Sequence, residues 1–259
     1  MGFTGATFLF FRTHLSRVVF SRRGVLCLLL AAIPVIVALL VAQFGRRVSA
    51  GDLATHVGYY LQLQVVLPVL SLIAGSAAVA EEVEDRTITF LVSRPIPRAS
   101  LLLGRWAAIL VYLTCVLALS TGALLAAAQG ARGPGLALVA GIQGPLFAAV
   151  LAGGVVYSAL FAALGVFTRH PVIVGLAYAF AIEGFVANLP TSTQAITIQF
   201  YLRSVIAAEG APAWRTLEGF EGVALASLGS ALTRLALVLV CVLALGAWRM
   251  TRREFVLSS

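Results

Sequence analysis

The sequence predicts an all-α integral membrane protein. Six transmembrane helices follow an N-terminal amphipathic interfacial helix, a charged connector sits on the inner side after the second span, and short extracytoplasmic helices precede the last span. Three observations predict it. Of the 259 residues, 61% are hydrophobic and only 11% charged, whereas a soluble domain is roughly a quarter charged and no soluble core of this length could bury so much apolar surface. Apolar runs of spanning length recur six times. The arginines fall unevenly on the two sides that those runs define.

Residues 4–23 mix Phe8, Phe11, Leu15, Val18 and Val19 with Arg12, His14, Ser16, Arg17, Arg22 and Arg23. Apolar residues three and four apart predict a helix lying in the membrane plane with its arginines opposite. Ser21-Arg22-Arg23 before an apolar run resembles a twin-arginine export signal, but the run is too long and leads mostly into further membrane segments. The first span, 24–44, holds Pro34, which predicts a kink. Residues 45–58 read as an external loop. The second span, 59–80, ends at the charged segment 81–98. The third, 100–128, would be roughly 43 Å long at 1.5 Å per residue, more than a hydrocarbon core of about 30 Å. It should tilt or extend inward, carrying Arg105 and Trp106 near the interface. The fourth, 136–167, carries Ala149/Gly153 and Ser158/Ala162 at the spacing that permits close helix approach. The fifth, 172–189, is short and holds Glu183, a carboxylate that must face protein or water. It reads either as a residue lining a route or as a structural hydrogen-bonding group. Residues 191–230 interleave Ile196, Ile198, Phe200, Tyr201 and Leu202 with Gln199, Arg203 and Ser204, as interfacial helices would, and break near Gly210-Ala211-Pro212. The sixth span, 231–248, precedes Arg249, Arg252 and Arg253.

Six spans put both termini on one side. Twelve arginines lie on that side and six on the other: Arg46, Arg47, Arg132, Arg203, Arg215 and Arg234. The excess of arginine places both termini and the connector in the cytoplasm, in a multi-pass protein of the cytoplasmic (inner) membrane.

All eighteen basic residues are arginine. Without lysine there is no P-loop and no Schiff base, so any ATP-driven work requires an ATPase on another polypeptide. His14, His56 and His170 are far apart, and Cys27, Cys115 and Cys241 lie within apolar runs, a pattern that offers no metal site or disulfide. The scattered arginines form no basic surface for nucleic acid. An intramembrane enzyme would need a base and a nucleophile at depth, and Glu183 stands without a histidine or second carboxylate near it. Two other classes remain open on the residues alone: a secondary transporter, although no internal repeat is visible, and a membrane scaffold without transport.

The connector carries the most specific pattern. Glu81, Glu82, Glu84 and Asp85 are four of the ten acidic residues in the chain, and such charge must lie in water or against a soluble partner. Arg86, Thr87, Ile88, Leu91 and Val92 come next, and Arg94-Pro95-Ile96-Pro97-Arg98 stiffens the exit, because proline fixes its own φ and restricts the residue before it. This segment, with the six spans and the N-terminal helix, resembles the permease subunits of type-2 ABC transporters. The acidic cluster, Thr87, Leu91 and the Pro95-Ile96-x-Arg98 turn, with Gly104 beyond it, resemble most the branch that includes the permease of nitrous oxide reductase maturation. That resemblance implies a pair of permeases, a second copy or a homologue, with two separate ATPase subunits that bind ATP and magnesium. No cofactor is expected in this chain itself. It implies a coupling helix within 83–92 seated on the ATPase, the segment from Arg94 to Arg98 transmitting displacement into the third span, and residues 4–19 as a second ATPase contact. The first, second and fifth spans would line the interface and route, with Glu183 towards the outer end. Residues 191–230 would close the exit or hold an extracytoplasmic partner. The implied work is ATP-driven export of an amphiphilic substrate, or motion passed to that partner.

Overall fold

The computed structural model describes residues 3–44, 48–84, 98–129, 136–188, 192–209, 214 and 225–252. Among them there are helices and no strand. In chain order these are α1 (Phe3–Phe20), α2 (Arg22–Phe44), α3 (Ala50–His56), a π-helical stretch (Val57–Val66), α4 (Leu67–Glu84), α5 (Arg98–Gln129), α6 (Leu136–Phe167) and α7 (Pro171–Ala177). A second π stretch (Tyr178–Phe185), two 3₁₀ turns (Val186–Asn188 and Ser192–Ile196), α8 (Ile198–Glu209) and α9 (Leu228–Arg252) complete the order.

Among the described residues, five helical rods are long and apolar enough to cross a membrane: Arg22–Phe44, Ala50–Ala78, Ala99–Gln129, Gly141–Phe167 and Leu228–Arg252. The segment expected as the fifth of six spans is shorter and interrupted, α-helical to Ala177, π-helical to Phe185 and 3₁₀ to Asn188. The second rod begins earlier than the expected 59. Ser49 caps α3, its Oγ accepting from Asp52 N (3.1 Å) and donating to Asp52 Oδ2 (2.7 Å), so the acidic residue at N3 answers the cap. Part of the stretch expected as a loop is therefore helix, continuous with the span.

Burial sorts the rods. In the Ala50–Ala78 and Gly141–Phe167 rods 72% and 67% of the most apolar window is inside the protein, against 22% for α2 and 11% for α9. The two central rods pack chiefly on each other. Lipid tails are as apolar as leucine, so small residues that let backbones approach govern this contact. A Cβ on Gly75 would lie 3.0 Å from both Ser158 O and Phe161 Cβ, which puts the small Ser158 and Ala162 of α6 directly under α4. One turn of packing further along, Gly153 receives Leu67 and Leu202. On the perimeter, α9 touches the bundle through Ala231, Leu235, Gly246 and Met250 and exposes Leu232, Leu237, Val240 and Leu245.

Polar side chains fasten the rods at depth. Ser120 Oγ donates to Ala31 O (2.6 Å), sharing its one proton weakly with Gln62 Oε1 (3.2 Å), and Gln62 Nε2 donates to Thr121 Oγ1 (3.2 Å). This joins α2, the first π stretch and α5 in one buried cluster. Trp106 Nε1 donates to Ser158 Oγ (3.1 Å), tying α5 to α6.

Candidate functional site

At the end holding the connector, α4 runs through Glu81, Glu82 and Glu84, and α5 opens at Arg98. Asp85, Arg86, Thr87, Ile88, Leu91, Val92, Arg94 and Pro95 lie outside the described residues. The connector therefore joins the end of one rod to the start of another. Arg105, almost fully buried, donates from Nη1 to Ala78 O (2.9 Å), linking the two rods just beyond it.

The N-terminal helix docks on the same rod. α1 buries Ala6, Phe10, His14 and Val18, one residue in four, and lies chiefly against α5. The contact is backbone-close: a Cβ on Gly104 would lie 2.5 Å from Thr7 O and 2.8 Å from Phe10 Cβ. At the corner into α2, Ser21 Oγ donates to Val18 O (2.9 Å) and accepts from Gly24 N (2.9 Å). Phe8 and Val19 are exposed, and of the apolar residues that the sequence singles out Val18 alone belongs to the buried stripe.

His14 belongs to that docked stripe and not to the polar face. Burial, and then the nearby Arg105 and Arg17, hold its pKa down to about 4. The ring is neutral at pH 7. Undocked, it titrates near 6.5, so the docked state is fully favoured above pH 6.5 and loses up to about 3 kcal/mol as pH falls from there to 4. With Cys115 and Cys241 replaced by serine, a spin label on Ser16→Cys should gain mobility over that interval in phosphatidylcholine, and His14→Leu should abolish the pH response. An unchanged spectrum in the parent would contradict the linkage.

At the opposite end of the bundle the interrupted helix meets α8. Glu183 is buried, with both oxygens occupied: Oε1 accepts from Tyr178 Oη (2.6 Å) and Ile198 N (3.0 Å), and Oε2 from Gln199 N (2.9 Å). Ile198 and Gln199 open α8, and Thr197 Oγ1 accepts from Phe200 N (3.2 Å). Three N–H groups that a helix start leaves without intrahelical partners thus find side-chain oxygens, and the carboxylate sits at the positive end of the helix. The π stretch helps, because its wider turn brings residue 178 round to face residue 183.

The first π stretch meets the same helix. Leu67 N donates to Gln62 O, five residues back. The next bond in that register would run from Pro68 to Leu63, and proline has no N–H. Leu63 O instead accepts from Gln199 Nε2 (3.0 Å). Arg203 Nη1 donates to Ala187 O (2.9 Å), and its guanidinium lies 5.7 Å from the centroid of Tyr59. Tyr157 is fully buried beside Glu183 and Gln199, without aligned hydrogen-bond geometry to either. The helix expected at an interface is thus enclosed: Ile198 to Ile206 are all buried, Gln199 and Arg203 included. Arg203 and Arg105 are interior groups, one from each side of the arginine count, and setting both aside preserves the asymmetry.

Gln62, Gln199, Arg203 and Tyr157 are the polar groups whose roles the sequence hides. Pro68 is the one local signal, since it predicts an orphaned carbonyl five residues before it in a π register. Residues 15–255 match the family model described as ABC-2 family transporter protein. No curated protein matches the chain.

Proposed function

The chain belongs to the ABC-2 transporter family, a multi-pass membrane permease, and from that premise we propose how it works: it couples hydrolysis by two separate ATPase subunits to outward movement of an amphiphilic substrate, or to motion of an extracytoplasmic partner. The observation that carries this reading is the mechanical layout of the inner end. The connector is bounded by the end of α4 and the start of α5, and α1 rests backbone to backbone on α5 at Gly104. A push on the connector reaches two rods directly, and the dense contact of α4 with α6 carries it into the centre of the bundle.

In this reading Pro171–Asn188 is the fifth of six crossings. Its eighteen residues rise about 25 Å, close to a hydrocarbon thickness of about 30 Å. Both termini and the connector then face the cytoplasm, as the arginine bias asks, and α8 lies towards the outer face. The ATPase grips Glu82, Glu84 and the apolar residues of 83–92, and binds ATP and magnesium itself. A second permease completes the assembly, and the connector motif favours the nitrous oxide reductase maturation branch.

The test is reversal of charge at the connector. Glu82→Arg with Glu84→Arg should cut co-purification of the ATPase, and its stimulated hydrolysis, about tenfold through lost charge-assisted contacts, with membrane insertion unchanged. Stimulated hydrolysis at the parental level, or a parent chain that brings down no ATPase, would overturn the reading.

A further inference from the structure

Where α1 turns into α2 there is a half-enclosed pocket between α1, α2, α4 and α5, with about 380 Å³ of empty space counting its open mouth. Three of its lining residues are basic, His14, Arg17 and Arg23, and among the described residues none of its lining is a carboxylate. Its floor is apolar, formed by Cys27, Ala77 and the ring of Tyr112, whose hydroxyl is already committed to Gly24 O (2.7 Å).

His14 is only 7% exposed and its Nε2 has no hydrogen-bond partner. A buried polar nitrogen left unmatched costs about 1–3 kcal/mol. As a neutral ring it can donate that N–H, and an acceptor beside the exposed Arg17 guanidinium is best an anion.

We propose that this pocket binds the phosphate of an anionic phospholipid, with Arg17, Arg23 and His14 around the phosphate and the start of an acyl chain against Cys27 and Ala77. Two features select a lipid over a soluble phosphate. The lining is apolar below a basic mouth, and the site lies at the foot of a spanning helix, Arg22–Phe44, where a headgroup meets the hydrocarbon boundary. Occupied, the lipid would pin the corner at which the N-terminal helix joins the first span.

Native mass spectrometry of the full-length chain, delipidated and then given phosphatidylglycerol or phosphatidylcholine, tests this. The parent should retain phosphatidylglycerol about tenfold more tightly, the worth of a charge-assisted hydrogen bond. Arg17→Gln with Arg23→Gln should bring the two lipids to parity, while Arg249→Gln with Arg252→Gln in the last turn of α9 should leave the preference intact. Parity in the parent overturns the proposal, as does a preference that survives in the pocket variant or falls equally in the tail variant. Glycerol phosphate displacing phosphatidylglycerol at equal concentration would make it a soluble-phosphate site and overturn the lipid assignment. Should the double variant fail to insert, Arg17→Gln alone, at an exposed position, decides between the same outcomes.

Discussion

Glu183→Ala should destabilise the purified protein by about 3 kcal/mol, the largest single-site loss expected in the bundle. The carboxylate occupies three donors, Tyr178 Oη, Ile198 N and Gln199 N, all within 3.0 Å. Alanine leaves two buried N–H groups at the start of α8 without an acceptor, and each such orphan costs about 1–3 kcal/mol. Hydrogen bonds between membrane helices average nearer 0.6 kcal/mol where the separated helices find other partners, which holds the expected total to about 3 kcal/mol. Glu183→Gln should fall between the two, because one carbonyl oxygen remains to accept while the amide nitrogen turns a donor towards donors. Thermal unfolding in detergent measures both, and an alanine variant as stable as the parent would show that the clasp does not hold the bundle. The same glutamine variant separates two roles. If the carboxylate also serves the route, the pH profile of transport shifts; equal transport at every pH leaves Glu183 a structural group.

Gly104→Val should detach the N-terminal helix. The added Cβ falls 2.5 Å from Thr7 O and 2.8 Å from Phe10 Cβ. The nearest obstruction is main chain, so no rotamer change relieves it and α1 must move as a unit or leave. A spin label on Ser16→Cys should then be mobile at pH 7, as the parent becomes only near pH 4, and ATPase stimulation should fall about tenfold if α1 forms part of the ATPase contact. Gly144→Ala is the matched control. A Cβ there meets nothing within 4 Å, and alanine raises helix propensity by up to about 1 kcal/mol. An immobile label in Gly104→Val would show that the docked geometry tolerates a side chain, and would separate α1 from the mechanism.

Much of the architecture is legible from run length and charge alone. Long apolar segments such as 100–128 and 136–167 can only be helices at this depth, since a backbone in hydrocarbon must satisfy its own hydrogen bonds. The small residues of α6 are visible as a spacing, and Ser158 and Ala162 do receive α4 at Gly75. The segment before α8 is harder. Residues 172–189, with Glu183 among them, read as an ordinary short span, because nothing local distinguishes a π turn from an α turn. α8 reads as interfacial because Gln199, Arg203 and Ser204 interrupt its apolar residues, and amphipathicity says only that two faces differ. It does not say whether the polar face meets water or another helix.

Composition and run length alone establish that this chain lives in a membrane and that it carries no lysine with which to hold a nucleotide in a P-loop. Those are properties of composition and order, and they hold however the helices are arranged. Which polar groups fasten the bundle is visible only once the helices are packed. Gln199 meets Leu63 across 136 positions and Ser120 meets Ala31 across 89, pairings that leave no local trace. That His14 is a buried ring leaves no local trace for the same reason. Burial first, and then Arg105 on a different helix, hold its pKa down, and both arise only when α1 packs on α5.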